Sequence, residues 1–172
     1  MDFIIKLLER YKENNKIFWL FVGKGTEKEK LSKTIEEKEI QNALLVDYIP
    51  KQEYNQLLQI ADIGLIFLDS RFTIPNIPSR LLSYLEYSVP VLAATDRNTD
   101  LSSILQENNI GLWCESNSVE KFEEKMNYYM EHSKERKEIG ENGRKYLEDN
   151  WTTEKSVEIL ENAYKKLKGK EE

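Results

Sequence analysis

The sequence predicts an α/β protein built on a doubly wound parallel sheet of about five strands, with helices on both faces. Two observations predict this class. Short, unbroken apolar runs alternate with longer stretches whose apolar residues recur at helical spacing, and the connections between them are short. Strands that are covered on both faces, as in parallel sheets, have such unbroken runs. The alternation therefore favours right-handed crossovers around one sheet.

The first half of the chain contains three predicted strands. Its elements are, in order, a helix over 2–12, a strand over 17–22, a helix over 26–36, a strand over 43–46, a helix from 50 to about 61, and a strand over 63–68. The run Ile17–Val22 is expected to be buried on both faces. Thr26 and Glu29 have the spacing of a capping box, which predicts where the second helix begins.

The second half continues the alternation and then becomes helical. Its predicted elements are a helix over 78–88, a strand over 90–94, a helix over 100–107, a strand over 110–114, and closing helices over 118–131, 133–149 and 152–168. Pro78 suits the first turn of its helix. Residues 169–172 are expected to form a frayed tail.

Composition limits the organisation and the classes of ligand. A length of 172 residues suits one domain over 1–172. The net charge of −6 without a dense basic stripe argues against nucleic acid as the main ligand, and no apolar run is long enough for a membrane span. A single cysteine excludes an internal disulfide and fits a reducing cytosol, and a single histidine excludes a Cys/His zinc site.

Ligands of such sheets bind beyond the carboxyl ends of the strands, so the residues after each strand are the candidates. Gly23, Lys24 and Gly25 follow the first strand. Glycines let the backbone approach a ligand, and the following helix offers unpaired N–H groups, which suits a phosphate. The alternative is an ordinary turn followed by a capping box.

Ser79 and Arg80 open the helix after the third strand. A cation in the first turn of a helix opposes the macrodipole by about 0.3–1 kcal/mol. A diphosphate bound between Arg80 and the exposed N–H groups would offset that cost. The alternative is an ion pair between Arg80 and a neighbouring acid such as Glu86.

The turn after the second strand carries Tyr48 and Ile49. Its planar ring and free backbone groups suit a nucleobase, although an aromatic residue in a loop more often serves packing.

The loop after the fourth strand carries Asp96, Asn98 and Thr99. These side chains suit sugar hydroxyls, while the alternative is that Thr99 or its neighbour only caps the next helix.

Taken together and in order, these segments resemble the C-terminal, donor-binding half of a GT-B glycosyltransferase of family 4 (group 1). The resembling segments, with the family pattern after each, are Phe21–Gly25 (xVGxG), Val46–Pro50 (xGxVP), Ala61–Ile66 (ADxxxxP), Pro78–Ala93 (PSKxxEYxxxGxPVxA), and Gly140–Arg144 with Trp151 (GxNGR…F/W). Asp47 replaces the usual Gly of the second pattern. The match covers nearly the whole chain and implies a Rossmann-like domain.

The resemblance implies a nucleotide-diphosphate sugar, UDP- or GDP-linked, as donor and a glycan or lipid-linked acceptor in bacterial surface polysaccharide synthesis. It implies a retaining reaction without metal or other cofactor, at a cytoplasmic location or at the inner face of the membrane. No catalytic residue is assigned. The implied contacts are the diphosphate at Gly23, Lys24, Gly25, Ser79 and Arg80, the base and ribose at Tyr48, Ile49 and Ser83, and the donor sugar and diphosphate at Asp96, Asn98 and Thr99.

The chain departs from the family in two ways. Ser83 stands where the family has a carboxylate that holds the ribose, and a serine hydroxyl is a weaker partner. The family's acceptor-binding domain and first strand precede the residues matched here, which implies a fragment with little or no transfer activity alone. That strand would lie between the first and third predicted strands. We therefore expect self-association or direct pairing of Ile17–Val22 with Ile63–Leu68.

Two other functions remain in competition. One is a non-catalytic nucleotide-binding or protein-interaction module on the same scaffold, and the other, ranked last, is half of a sugar epimerase. The closing helix over 152–168 is relevant to the interaction module, because it has more apolar residues than an isolated terminal helix needs. In the family this segment crosses to the other domain, and the alternative is that it docks on this domain's own sheet.

Overall fold

The computed structural model describes residues 1–71, 74 and 76–168. The elements in chain order are α1 (Asp2–Tyr11), β1 (Trp19–Val22), α2 (Lys28–Glu37), β2 (Ala43–Val46), α3 (Lys51–Ile60), β3 (Gly64–Phe67), α4 (Arg80–Glu86), β4 (Val91–Thr95), α5 (Leu101–Glu107), β5 (Gly111–Glu115), α6 (Val119–Glu131), α7 (Ser133–Asn150) and α8 (Thr153–Lys168). The predicted α/β class with parallel strands is confirmed. The predicted frayed tail lies outside the described residues.

The strands form two parallel sheets rather than one. β1 pairs with β2, with Trp19 opposite Ala43, and β4 lies between β3 and β5 in the second sheet. Within the described residues no ladder joins β1 to β3, so the predicted direct pairing of these two runs is wrong. Both runs pack side chains against a common aromatic cluster instead of pairing their backbones. Self-association stays a prediction.

That aromatic cluster is centred on Phe122 of α6, which is fully buried. Its ring centroid lies 6.0 Å from that of Phe3 in α1, 6.4 Å from Trp19 in β1 and 5.6 Å from Phe67 in β3. These separations fall in the favourable range for aromatic pairs. The cluster therefore connects both sheets through side chains that belong to four different elements.

β1 and β2 are well covered on one face only. Trp19 is 3% exposed, whereas Leu20 and its register partner Leu44 are 42% and 48% exposed. Successive residues of a strand point to opposite faces, so the face that carries Leu20 and Leu44 is only partly covered. The predicted burial of Ile17–Val22 on both faces is therefore wrong for this sheet.

The start of α2 also differs from the prediction. The N–H of Lys28 donates to the Gly25 carbonyl at 3.2 Å, which forms a turn before the helix. The helix then begins at Lys28 after Glu27, and no side chain caps it. Because this turn delays the helix, Thr26 lies outside the N-cap position and the predicted capping box does not form.

α7 packs closely against α4 and the turn that follows α4. A Cβ atom at Gly140 would lie 2.1 Å from the Ser88 carbonyl oxygen, and one at Gly143 would lie 2.7 Å from a methyl group of Leu85. Arg144 completes the contact by donating from Nη1 to the Glu86 carbonyl at 2.7 Å. The two glycines therefore set the distance between α7 and α4.

α8 buries none of its residues. Its exposed apolar side chains are Val157, Ile159, Leu160, Tyr164 and Leu167. Docking of this helix on the domain's own sheet, one of the two alternatives for it, is therefore wrong. Among the described helices, including α8, none has both the length and the apolar character needed to cross a membrane.

We predict that Gly140→Ala lowers the free energy of unfolding by about 3 kcal/mol, because the new methyl group meets a backbone oxygen that cannot rotate away. Urea titration followed by circular dichroism measures the change. Gly25→Ala is the matched control, since a Cβ there meets nothing within 4 Å. Equal stabilities of the two variants would contradict the close approach of α7 to α4.

Phe122→Ala is expected to lower the free energy of unfolding by about 3–5 kcal/mol, because it empties the cluster that connects both sheets. Thermal and urea unfolding measure it. Phe18→Ala, at a side chain that is 64% exposed, should change the stability by less than about 0.5 kcal/mol. A loss at Phe122 as small as that at Phe18 would refute this account of the core.

Candidate functional site

The candidate site begins where β1 ends. The N–H of Gly23 donates to the Val46 carbonyl at 3.0 Å, so the β1–β2 ladder continues one residue beyond the strand. Gly23 has a φ of +141°, which side-chain-bearing residues rarely adopt, and the space where its Cβ would stand is open. The chain therefore leaves the sheet sharply and keeps the space beside Gly23 free.

A groove of about 300 Å³ lies at this edge of the sheet. Its lining residues are Val22, Gly23, Tyr48, Ile49, Lys51 and Tyr54. Three of the predicted site residues thus share one cavity, namely Gly23, Tyr48 and Ile49. Tyr48 is 72% exposed, so its ring is accessible to a ligand.

Sequence reasoning missed the two groove residues on α3, Lys51 and Tyr54. They are three positions apart and therefore lie on the same side of the helix. Lys51 could have been found from its place at the start of the helix after the second strand, at the ligand edge. No signal in the sequence singles out Tyr54. Tyr54 is half-buried, and burial raises the pKa of its phenol while the charge of Arg80 opposes that rise.

Arg80, the first residue of α4, is exposed. It forms no ion pair or hydrogen bond with any other residue that the structure describes, so the alternative pairing with Glu86 is absent. Burial raises the pKa of Tyr84 to about 12, and the Arg80 charge opposes that rise as well. Arg80 is not one of the residues that line the groove, but its charge acts on Tyr54, which does line it.

Like Arg80, four more predicted residues on the turn after β1 and at α4 lie outside the set that lines the groove. Lys24 and Gly25 are exposed on the turn after β1. Ser79 is exposed at the N-cap of α4, where its side chain makes no capping bond, and Ser83 lies half-buried within α4. Their roles in binding the diphosphate and the ribose stay predictions.

The turn that carries Tyr48 is anchored from one side. Asp47 accepts a hydrogen bond from the Lys28 ammonium group at the start of α2. This bond and the lysine's charge lower the pKa of Asp47, so the carboxylate stays ionised and paired at neutral pH. The pair links α2 to the turn that follows β2.

The loop after β4 is bonded within itself. Asp96 and Thr99 are each 2% exposed. The Asp96 carboxylate accepts from the N–H of Asn98 at 2.7 Å, from the N–H of Thr99 at 3.0 Å and from the Thr99 hydroxyl at 2.7 Å. Burial alone would raise the pKa of Asp96, but these bonds outweigh it and lower the pKa. The contact of this loop with a donor sugar stays a prediction.

Cys114 and His132 have no role in the groove. Cys114 is buried, and burial raises the pKa of its thiol to about 11, which makes it unreactive. His132 places Nδ1 2.9 Å from the Tyr128 carbonyl at the end of α6. Over the described residues, no group of three or more His, Cys, Asp or Glu side chains is arranged to hold a metal ion.

Comparison with known families gives a match over most of the chain. The family model described as "Glycosyl transferases group 1" matches residues 1–146. No curated protein sequence matches the chain significantly. The matched range includes the groove, Arg80 and the glycine pair of α7.

Solved glycosyltransferase structures have the same fold. TarM of S. aureus has a TM-score of 0.76 at 20% sequence identity, over 94% of this chain and 31% of TarM. Anabaena Alr3699/HepE in complex with UDP has a TM-score of 0.72 at 14% identity, over 98% of this chain and 45% of HepE. The C-terminal domain of the group 1 protein LpcC from Francisella tularensis has a TM-score of 0.63 at 15% identity, over 87% of this chain and 80% of that domain.

We predict that Asp96→Asn lowers the free energy of unfolding at pH 7 by about 1–2 kcal/mol, because a neutral amide accepts the three hydrogen bonds less well. The folded-state pKa of Asp96 is lowered, so its contribution is present above the unfolded-state pKa of about 3.9 and is lost as the pH falls through the folded-state pKa. Urea titrations from pH 7 down to about pH 2 should therefore show a constant difference in stability above about pH 4 and convergence of the two proteins below it.

The matched control is Asp149→Asn, at an exposed carboxyl on α7. Its difference from the parent protein should stay below about 0.5 kcal/mol over the same pH range. An Asp96→Asn difference that does not change with pH would show that ionisation of this carboxyl does not stabilise the loop.

Proposed function

Because this chain belongs to the glycosyl transferases group 1 family, we propose that its groove binds a nucleotide-diphosphate sugar and that the chain acts as the donor-binding part of a glycosyltransferase. The observation that carries the proposal is the groove itself. Gly23, Tyr48 and Ile49 converge there from the ends of two strands. The charge of Arg80, which has no acidic partner among the described residues, acts on Tyr54 of the groove.

Each part of the groove suits one part of the donor. The exposed ring of Tyr48 offers a flat surface for the nucleobase, and Ile49 adds an apolar contact. The open space beside Gly23 lets a diphosphate approach the backbone. Arg80 supplies a guanidinium that can donate two parallel hydrogen bonds to phosphate oxygens.

The same arrangement can assist the reaction. When the bond between the sugar's anomeric carbon and the diphosphate oxygen breaks, the electron pair leaves with the diphosphate and negative charge grows there. On this proposal the Arg80 guanidinium contacts the diphosphate and stabilises that charge more strongly in the transition state than in the ground state. We expect the transfer to retain the anomeric configuration and to need no metal, and we assign no acid–base residue.

UDP is the first nucleotide to consider. The HepE complex contains UDP, and a TarM mutant was solved with UDP as well. This chain spans about a third of TarM and less than half of HepE. On this proposal, transfer to a glycan or lipid-linked acceptor in surface polysaccharide synthesis requires an acceptor-binding half beyond the domain described here, at a cytoplasmic or inner-membrane-face location.

Calorimetric titration with UDP, GDP and their sugars tests the proposal. We predict that UDP binds and that Arg80→Ala weakens it about 10-fold, because one charge-assisted contact is lost. Arg10→Ala is the matched control, since Arg10 is an exposed arginine that pairs with Glu123 on α6, away from the groove. If none of these nucleotides binds at millimolar concentration, the proposed function fails.

A non-catalytic interaction module on the same scaffold is the second candidate. The observation that favours it is α8, whose apolar residues are all uncovered. Sedimentation velocity on the Arg80→Ala variant separates the two functions. Unchanged nucleotide binding with altered self-association would favour the interaction module, whereas weaker binding without a change in association supports the enzyme.

A further inference from the structure

We propose that the hydroxyl of Tyr54 is a further donor-binding group that hydrogen-bonds to the diphosphate beside Arg80. The proposal rests on the proposed function and adds to it a residue on a different helix. Family patterns and strand-end positions point to the turns of the groove, whereas Tyr54 lies inside α3. It is found only by the geometry of the groove wall.

The fold fixes the position of Tyr54. Its N–H donates to the Pro50 carbonyl at 3.0 Å, so the residue lies one turn into α3. Pro50 directly follows Ile49, and the turn of Tyr48 and Ile49 therefore forms one wall of the groove while α3 forms the next. The ring of Tyr54 is half-buried and lines the groove.

The hydroxyl of Tyr54 is available to a ligand. Within the described residues it makes no hydrogen bond, whereas the hydroxyl of the nearby Tyr84 donates to the Leu65 carbonyl at 3.2 Å. Because burial raises the pKa of Tyr54, its phenol keeps its proton at neutral pH and can donate. This hydroxyl is therefore free to donate a hydrogen bond to an acceptor of a ligand in the groove.

The neighbouring charge indicates which acceptor this is. Lys51 lines the groove together with Tyr54, and the charge of Arg80 also acts on the Tyr54 phenol, so a phenolic donor and a cationic donor share this region. Two donors, one of them cationic, suit an anion better than a neutral nucleobase or sugar hydroxyl. The nucleobase has the exposed ring of Tyr48 instead. The acceptor of the Tyr54 hydroxyl is therefore a phosphate oxygen of the diphosphate.

The test compares ligands that share only part of the donor. Tyr54→Phe removes the hydroxyl and keeps the ring, so the variant should fold with an unchanged melting temperature. Calorimetry should show UDP and inorganic pyrophosphate bound about 10-fold more weakly, with uridine unchanged. Tyr128→Phe, on α6, is the matched control and should bind all three ligands as the parent protein does.

Three outcomes would overturn the inference. Undiminished UDP binding by Tyr54→Phe would remove the hydroxyl from the site while the proposed function stands. An equal loss of uridine and UDP affinity would place the hydroxyl on the nucleoside. Failure of the parent protein to bind UDP, GDP or pyrophosphate would end the inference together with the proposed function. A non-additive double variant with Arg80→Ala would support a shared phosphate contact.

Discussion

The packing of aromatic rings around Phe122 is the interaction on which the rest of the structure depends. The two sheets share no backbone ladder among the described residues, so side chains alone hold them in place. Phe122 contacts one ring from each sheet, Trp19 and Phe67, and one from α1, Phe3. Fully burying one large apolar side chain is worth about 1.5–3 kcal/mol. This cluster contains three buried aromatic residues, Phe3, Trp19 and Phe122, and the partly buried Phe67.

Surface charge adds much less to the same junction. Arg10 of α1 makes a two-pronged contact with Glu123 of α6, with its Nε 3.2 Å and its Nη2 3.0 Å from the carboxylate oxygens. The Arg10 side chain is 59% exposed, and pairs of this kind contribute about 0–1 kcal/mol. The position of α1 against α6 therefore follows from apolar burial, and the ion pair only supports it.

The sequence predicted the elements well because their signals are local. Unbroken apolar runs located the five strands that the structure describes, and the proline before α4 located that helix to within two residues. The division into two sheets could not be predicted, since apolar periodicity indicates which residues are buried and not which strand edges meet. The missing capping box has a similar origin, because one turn between Gly25 and Lys28 shifts the helix past Thr26.

The candidate site was predictable to the same extent. Gly23 and Tyr48 follow strands and Arg80 begins a helix, and the ends of these elements are clear in the sequence. Their placement at the same edge of the fold could therefore be predicted. Tyr54 could not, because its place in the groove depends on how α3 is rotated against the sheet. The Asp96 loop shows the opposite difficulty, since its polar residues look available in the sequence but bond to one another once folded.

Because the strands form two separate sheets, a ligand at the groove can contact both of them. Gly23 and Tyr48 belong to the two-stranded side, whereas Arg80 opens a helix that packs on the three-stranded side. A ligand that contacts both sides would bridge the two sheets and add contacts between them where no backbone hydrogen bonds exist. Ligand binding would then reduce the motion of the two sheets relative to each other, and a more rigid domain would in turn bind the ligand more tightly.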